Sequence, residues 1–247
     1  MRESIWIGFD PREAAAFAVA ANSARRNLGR HIPINGLVLA KLQSDGLYRR
    51  PTSTFIDSDG HPRLIDELSK RDDYDGAMST QFALSRFLVP HLAGSGWALF
   101  MDCDVLVRGD IVSLFGMRDD TKAVMCVQHD YAPIATTKMD GQLQTRYSRK
   151  NWSSVMLFNV DHPSNRKLTL EMFNSVPGRD LHRFCWLDDS EIGRLPVTWN
   201  WLAGESEKVE SPSLVHHTLG SPCMTGYEDA PFAGEWRHEL NLWAARR

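Results

Sequence analysis

The feature that most constrains the fold is an apolar run that ends in two carboxylates. Residues Trp97 to Met101 carry no polar side chain other than the indole. Asp102 and Asp104 follow directly, one on either side of Cys103. A run this short is far below the length of a membrane span and is typical of a strand buried on both faces of a parallel sheet. Alternate residues of an extended chain point the same way, so both carboxylates can face one point while Cys103 faces the other side.

Two converged carboxylates repel each other unless they are protonated, hydrogen-bonded or bound to a cation. Mg²⁺ and Mn²⁺ prefer oxygen ligands and keep positions open for the phosphates of a substrate. The same Asp-x-Asp triplet also occurs in solvated turns that bind no metal. Its position after an apolar strand favours the metal site, because ligands of open α/β sheets bind at strand ends.

The 247 residues are 43% hydrophobic and 24% charged, which predicts one globular α/β domain over residues 1–247. A formal net charge of −3 argues against a nucleic-acid partner. The alanine-rich residues 14–21 follow acids and precede arginines, so they predict a buried helix and no secretory signal. The cysteines are far apart and form no C-x-x-C pair, which excludes a zinc knuckle and favours a reducing cytoplasm. They are Cys103, Cys126, Cys185 and Cys223.

The N-terminal third has the alternation of strand and helix that builds a parallel sheet. Residues 4–9 predict a strand, Asp10 and Pro11 are typical of a helix start, and Gly29 is a plausible stop. Residues 34–39 predict the next strand, so the segment has the βαβ order of a doubly wound sheet. Asp10 then lies at the tip of the first strand, where it can contact a nucleotide, cap the helix, or do both.

Several later segments carry polar side chains of interest. Arg86 is close in sequence to apolar residues of a predicted helix, so its charge must be paired with an acid or aimed at an anion. Three acids in four residues at Asp188–Glu191 are usually a helix N-terminal turn. The further predicted strands cover 123–127, 151–159 and 213–217, and the further predicted helices cover 79–92, 181–187 and 235–247. A polar excursion is predicted over 41–75, and a polar flap or acceptor loop over 128–150. The last helix carries Trp236, Leu240 and Trp243 on one face, through which peripheral contact with a membrane is possible.

This order of features resembles the glycogenin-like family of retaining, metal-dependent glycosyltransferases (family eight, GT-A fold), with the chain a divergent bacterial or phage-type member. The most specific segments are Phe82–Leu92 and Leu99–Phe115. They are similar to the arginine-bearing helix of the family and to its D-x-D signature. The resemblance implies a Rossmann-like, mixed but mostly parallel sheet flanked by helices. It also implies Mn²⁺ or Mg²⁺ as cofactor, a nucleotide-sugar donor such as a UDP-hexose, and a saccharide or glycoconjugate acceptor.

Site residues follow from the same resemblance. Asp102, Asp104 and His217 would bind the metal, because the family pattern H-x-x-G takes its register from Gly220 and turns His216 away. The implied nucleotide-sugar-binding residues are Asp10, Arg12, Arg86, Asp102, Cys103, Trp152, Ser153, Ser154 and Gly220. The implied catalytic residues are Asp188, Asp189 and Ser190, with Asp189 required for turnover.

The chain departs from the family in three places. The family lysine that contacts the donor phosphate is missing near Pro222, and the candidates to replace it are Arg12, Lys138 and Arg146. Trp-Ser-Ser at 152–154 stands where the family has Asn-Ala-Gly, and Asp-Ser-Glu at 189–191 where it has Asp-Gln-Asp. Retention through a carboxylate nucleophile and front-face attack are both compatible with the sequence.

Two other functions compete with glycosyl transfer. A sugar-phosphate nucleotidyltransferase shares the strand–helix order and the acidic metal site. It should carry a glycine- and lysine-rich phosphate loop near its N-terminus, and residues 8–12 do not form one. A catalytically inactive nucleotide-sugar-binding module is the second alternative, given the departures from the family.

Overall fold

A computed structural model of the protein describes residues 2–57, 60–72, 74–129, 149 and 151–246. Most of the predicted flap over 128–150, with Lys138 and Arg146, lies outside these residues. The strands are β1 (Glu3–Phe9), β2 (Ile34–Val38), β3 (Thr52–Ile56), β4 (Pro62–Asp66), β5 (Trp97–Met101), β6 (Val105–Val107), β7 (Val124–Cys126), β8 (Val155–Asn159), β9 (Ile192–Arg194), β10 (Trp201–Leu202) and β11 (Leu214–His216). The α-helices are α1 (Ala14–Arg26), α2 (Leu39–Ser44), α3 (Val89–Ala93), α4 (Ile111–Gly116), α5 (Leu170–Phe173), α6 (Gly178–His182) and α7 (Ala233–Ala244).

The described strands form a central sheet, a small sheet and a hairpin. The central sheet has six strands in the order β2-β1-β5-β8-β7-β9. Its strands run parallel except β8, which is antiparallel to both of its neighbours. The small sheet has the order β10-β11-β6, and β3 pairs with β4 inside the predicted excursion over 41–75. The predicted mixed, mostly parallel sheet flanked by helices is confirmed, whereas a single domain over 1–247 stays a prediction.

The apolar run lies at the centre of the sheet, as predicted. Every side chain of β5 is at most 1% exposed, because β1 and β8 cover its two edges and side chains from both layers cover its faces. Burial of such side chains stabilises the fold by about 25 cal/mol for each Å² of apolar surface removed from water. The two carboxylates therefore follow a strand that is enclosed on both faces and paired on both edges.

Strand direction decides which residues can meet. β1 and β5 end at the same edge of the central sheet, which we call the carboxyl edge, and β8 begins there. Asp10, Asp102 and Ser154 are therefore brought to one side of the molecule. β6 continues from Asp104 and pairs antiparallel with β11, so that Val105 lies opposite His216.

Several predicted elements have different bounds in the structure, and three of them differ by four residues or more at one end. The helix predicted over 79–92 is a 3-10 turn over Ser85–Leu88 followed by α3. The backbone N–H of Gln81 donates to the Asp10 carboxylate at 2.9 Å, which favours turns over 79–84 in place of a first helical turn. The strand predicted from residue 151 begins at Val155, after a 3-10 turn. The short helix predicted over 181–187 is α6, which ends at His182.

The C-terminal helix uses its apolar face inside the protein. Trp236 of α7 is 1% exposed and packs in a second core cluster with Trp201. Glu239 accepts hydrogen bonds from Asn22 and Arg26 at 2.6 Å each, which ties α7 to α1. The suggested membrane contact through this helix is therefore not supported. Among the described residues, no helix has both the length and the apolar character needed to cross a bilayer.

A buried ion pair should control the stability of the β3–β4 hairpin. Arg50 and Asp66 have side chains 0% and 1% exposed and contact each other at 2.7 Å. Asp66→Asn leaves the buried guanidinium uncompensated, so we expect a loss of about 3–5 kcal/mol in the free energy of unfolding. Asp45→Asn is the control, because the Asp45–Lys41 pair is exposed and should contribute less than about 1 kcal/mol. Urea unfolding measures both; similar losses would contradict the prediction.

Candidate functional site

The two carboxylates lie between β5 and β6, at the carboxyl edge. The side chains of Asp102 and Asp104 are 15% and 21% exposed. The backbone N–H of Asp102 donates to the Ser154 carbonyl at 3.0 Å, which fixes the start of the turn against β8. One potential ligand atom from each of Asp102, Asp104 and His216 lies within 4.8 Å of the others. This cluster of two acids and one imidazole is the core of the candidate site.

The structure places His216, and not His217, beside the carboxylates. His216 Nε2 lies 3.0 Å from Asp104 Oδ1 and 3.9 Å from Asp102 Oδ2. His217 instead has its Nε2 2.9 Å from the carbonyl of Pro231. The expectation from the H-x-x-G pattern is therefore corrected. Pairing of β11 with β6 points His216 at the carboxylates, and the next residue along the chain turns the other way.

Gly220, which set the predicted register, has a packing role in the structure. A Cβ added to it would lie 2.4 Å from the Tyr227 ring, too close for any other residue without movement of that ring. This close approach explains a glycine here without a nucleotide. The predicted contact of Gly220 with the donor stays a prediction.

Arg86 neutralises one of the two acids. It is 5% exposed, its Nη1 lies 2.9 Å from Asp102 Oδ1, and the same group donates to the carbonyl of Ser153 at 2.8 Å. The guanidinium carbon also lies 4.9 Å from the centre of the Phe100 ring, a favourable cation–π distance. The structure thus brings Arg86 to the D-x-D turn, where it orders Asp102.

The carboxylates have different pKa values because their neighbours differ. Burial raises the pKa of Asp102 to about 6, since the charge of Arg86 opposes this shift only in part and Asp104 adds to it. Burial also acts to raise the pKa of Asp104, but the imidazole of His216 outweighs it and lowers the pKa. For His216 burial acts to lower the pKa, and the two carboxylates raise it overall. Two carboxylates face one guanidinium, so the cluster carries a net negative charge whenever His216 is neutral, and a cation can then replace the imidazole proton.

Cys103 faces away from the carboxylates, as the alternation of an extended chain predicts. It is 0% exposed, and its Sγ donates to Glu13 Oε2 at 2.8 Å. A thiol enclosed in this way is held against the start of α1, so its predicted contact with the donor is not supported. Glu13 was not predicted as a site residue. Burial, together with the negative charge of Asp104, raises its pKa to about 7.

Asp10 caps the turn that precedes α1, and both of its carboxylate oxygens accept hydrogen bonds from neighbouring donors. It is 0% exposed and accepts hydrogen bonds from the backbone N–H groups of Arg12 and Gln81 and from the Arg12 guanidinium. Burial acts to raise the pKa of Asp10, but these hydrogen bonds lower it overall. The capping role is therefore confirmed. Arg12 is the one phosphate-contacting candidate in the described residues, and its charge is paired with Asp10 at 2.7 Å.

The Trp152–Ser154 turn supports the site from the β8 side. The indole of Trp152 donates to the carbonyl of His129 at 3.1 Å, and Trp152 is half-buried. Ser153 is buried and its Oγ lies 2.7 Å from His182 Nδ1. The three residues are thus brought near the D-x-D turn, but the described contacts of the two serine side chains are with the protein.

Two residues behind this turn were missed in the sequence, the half-buried His182 and the buried Asn200. His182 is a neutral imidazole, because burial and the charge of Arg86 lower its pKa to about 3. Asn200 is 0% exposed and contacts both Ser154 and His216. The available sequence signal for Asn200 was a polar residue between Trp199 and Trp201, a pattern that marks a buried amide with an internal partner.

The predicted catalytic acids lie at the other end of the sheet. Asp188, Asp189 and Ser190 precede β9, which runs parallel to β7 and β5, so they are at the edge opposite the carboxyl edge. Through the strand register, Ile192 is level with Ala98, four residues before Asp102. At about 3.3 Å per residue, this is roughly 13 Å along the strands.

The contacts of this acidic run explain it without catalysis. The backbone N–H of Asp188 donates to Glu191 Oε2 at 2.9 Å, the arrangement of a helix-capping residue. The side chain of Asp189 is 89% exposed and pairs with Arg149. The structure does not bring Asp188, Asp189 or Ser190 to the candidate site. The described contacts therefore give no support to their catalytic role, which stays a prediction.

Comparisons with known proteins agree with the fold. No protein-family model matches the chain. Over 242 residues the chain is 41% identical to Protein CDI of Arabidopsis thaliana, covering 96% of this chain and 85% of that protein.

Solved structures of glycosyltransferases share the architecture at low identity. The bifunctional glycosyltransferase WbbM has a TM-score of 0.62 at 14% identity, covering 97% of this chain and 49% of WbbM. The galactosyltransferase LgtC, in complex with donor and acceptor sugar analogues, has a TM-score of 0.57 at 12% identity, covering 97% and 95%. The glycosyltransferase GlyE of Streptococcus pneumoniae has a TM-score of 0.57 at 13% identity, and the chain spans 64% of it. At these identities the likeness shows the GT-A fold.

The raised pKa of Glu13 predicts how apo stability depends on pH. Its pKa rises from 4.5 to about 7 on folding, so between these values the unfolded state has lost a proton that the folded state keeps. Stability should therefore fall as pH rises through this window, and Glu13→Gln should reduce that fall. Melting temperatures at pH 5 and pH 8 in EDTA measure it. The control is Glu171→Gln, at an exposed position of α5, which should behave as wild type. A Glu13→Gln profile that matches wild type would contradict the prediction.

Proposed function

This chain belongs to the family of Protein CDI, and we propose that it transfers a sugar from a nucleotide-sugar donor to a saccharide or glycoconjugate acceptor. The donor we propose is a UDP-hexose, and the anomeric configuration is retained. The observation that carries the proposal is the cluster of Asp102, Asp104 and His216 at the carboxyl edge of a GT-A sheet. Ligands of open α/β sheets bind at this edge.

The residues of the cluster fit a divalent cation. Asp102 Oδ1 and Asp104 Oδ1 are buried, and although they lie 2.9 Å from Arg86 Nη1 and 3.0 Å from His216 Nε2, neither accepts a hydrogen bond of suitable geometry from the described residues. His216 adds an imidazole nitrogen within ligand range of both acids. Two carboxylates and an imidazole suit Mn²⁺, and Mg²⁺ suits the carboxylates. Such an ion, when bound, supplies positive charge for the diphosphate that leaves during sugar transfer.

The chain's own residues divide the remaining work. Arg86 holds Asp102 in place and offsets part of the negative charge of the pair. Ser154 fixes the backbone of the same turn. Arg12 donates hydrogen bonds to Asp10 and to the carbonyl of Ser79. We propose that its guanidinium contacts the donor phosphate near the end of β1.

A nucleotide-sugar-binding module without transfer activity is the second candidate. The observation that favours it is the displacement of Asp188, Asp189 and Ser190 from the carboxyl edge. Such a module keeps the metal and nucleotide site and lacks a carboxylate that stabilises positive charge at the anomeric carbon. Turnover with a UDP-sugar separates the two functions, because both predict binding.

The paired histidines test the metal site. We expect His216→Ala to weaken Mn²⁺ binding at least tenfold, because it removes the nitrogen beside the carboxylates. His217→Ala is the matched control and should stay within a few-fold of wild type, because its ring contacts Pro231. Isothermal titration calorimetry with Mn²⁺, with and without UDP, measures both. A larger loss of Mn²⁺ affinity in His217→Ala than in His216→Ala would show that His217 is the metal ligand, as the H-x-x-G pattern predicts.

Substitutions of two aspartates test whether the reaction takes place at the carboxyl edge. With UDP-hexose and Mn²⁺, Asp104→Asn should lower kcat at least about 10²-fold, the scale of losing a group that stabilises charge in the transition state. Asp189→Asn should keep kcat within a few-fold, because this carboxylate is exposed and distant. UDP release measures turnover, and NMR of the product gives its anomeric configuration. An inactive Asp189→Asn would show that Asp189 takes part in the reaction. A product with inverted anomeric configuration would refute retention.

A further inference from the structure

We infer that Asn200 is a positioning residue that fixes which nitrogen of His216 carries a proton and so turns Nε2 toward the carboxylates. This inference rests on the metal site of the proposed function and adds a residue to it. Asn200 touches neither carboxylate in the described contacts. It acts through His216, whose ring would otherwise be free to present either nitrogen.

Asn200 is enclosed and makes contacts on both sides of its amide. It is 0% exposed, between the buried residues Trp199 and Trp201. Its Oδ1 lies 2.8 Å from His216 Nδ1. Its Nδ2 lies 2.9 Å from Ser154 Oγ and 3.1 Å from His129 Nε2.

A backbone carbonyl decides the direction of these hydrogen bonds. The Ser154 hydroxyl donates to the carbonyl of Asn151 at 2.7 Å, so its single proton is used there. Ser154 Oγ can then only accept, and the atom of Asn200 that faces it must be the donor, Nδ2. Asn200 Nδ2 also lies 3.4 Å from the same carbonyl, which accepts only.

Because Nδ2 faces Ser154, the amide group of Asn200 that faces His216 must be the oxygen, Oδ1. Asn200 presents Oδ1 to His216, and an amide oxygen only accepts. His216 must therefore carry its proton on Nδ1 and donate it to Asn200. In a neutral ring this leaves a lone pair on Nε2, 3.0 Å from Asp104 Oδ1. Two facing lone pairs repel, so the arrangement requires either a second proton on the ring or a cation between the two residues.

The same chain of contacts reaches the other carboxylate. Ser154 holds Asn200 through its hydroxyl, and its carbonyl accepts the backbone N–H of Asp102 at 3.0 Å. One turn thus sets both the position of Asp102 and the orientation of His216. Outer hydrogen-bond partners of a metal-binding histidine commonly contribute 10- to 100-fold to metal affinity.

Mn²⁺ affinity of matched Asn200 variants tests the inference. Asn200→Leu keeps the volume and loses the acceptor, so calorimetry should show Mn²⁺ binding about 10- to 100-fold weaker than wild type. Asn200→Asp keeps an acceptor for His216 Nδ1 and should stay within a few-fold of wild type. Asn165→Leu is the control, a buried amide that bonds to Ala123 and Asn159 at the opposite edge of the sheet, and should not change Mn²⁺ affinity.

A second measurement on the wild-type protein tests the inference even if Asn200→Leu does not fold. In Mg²⁺-loaded wild-type protein, ¹⁵N NMR of the histidine rings should show His216 protonated at Nδ1. A ring protonated at Nε2 and not at Nδ1, or equal Mn²⁺ affinity of folded Asn200→Leu and wild type, would overturn the role of Asn200. A wild-type protein that binds no Mn²⁺ would instead refute the metal site of the proposed function, which keeps the two failures distinct.

Discussion

The structure depends on the convergence of two carboxylates at the end of its most buried strand. Asp102 and Asp104 cannot move apart easily, because β5 is enclosed by β1 and β8 and the chain continues at once into β6. Their repulsion must be offset locally, since partly buried charges are weakly screened by solvent. Arg86 offsets it beside Asp102, and beside Asp104 either a protonated His216 or a bound cation can do so.

A second layer of polar contacts keeps this arrangement in place. Cys103 is held by Glu13, and Ser154 joins the Asp102 backbone to the side chain of Asn200. Buried polar groups without partners cost roughly 1–3 kcal/mol each, so their bonds favour one arrangement over its alternatives. The site is therefore built from elements far apart in sequence and held by hydrogen bonds with defined directions.

The resemblance to glycosyltransferases and the structure agree on the sheet and differ on the acids near residue 190. Asp102 and Asp104 directly follow β5, which lies between β1 and β8 in the central sheet. The acidic run instead leads directly into β9, a three-residue strand parallel to β7, which keeps it at the opposite edge. Assigning the acids by sequence order alone takes no account of where β9 begins. Because β9 begins directly after the acids, Asp189 lies at the edge of the sheet opposite to Asp102.

Much of the fold and part of the site could be predicted from the sequence, because these depend on local patterns. The apolar run of β5, the Asp-x-Asp turn, the capping role of Asp10 and the helix over α1 follow from periodicity, side-chain alternation and backbone sterics within a few residues. The choice of His216 over His217, the displacement of Asp189 and the burial of Asn200 were decided by the tertiary structure. The place of Asn200 depends on its contacts with Ser154 and His216. The other two depend on strand register between segments about 70 to 110 residues apart, and a shift of one residue turns every side chain to the other face. That register is set by packing among distant residues, which no local pattern encodes.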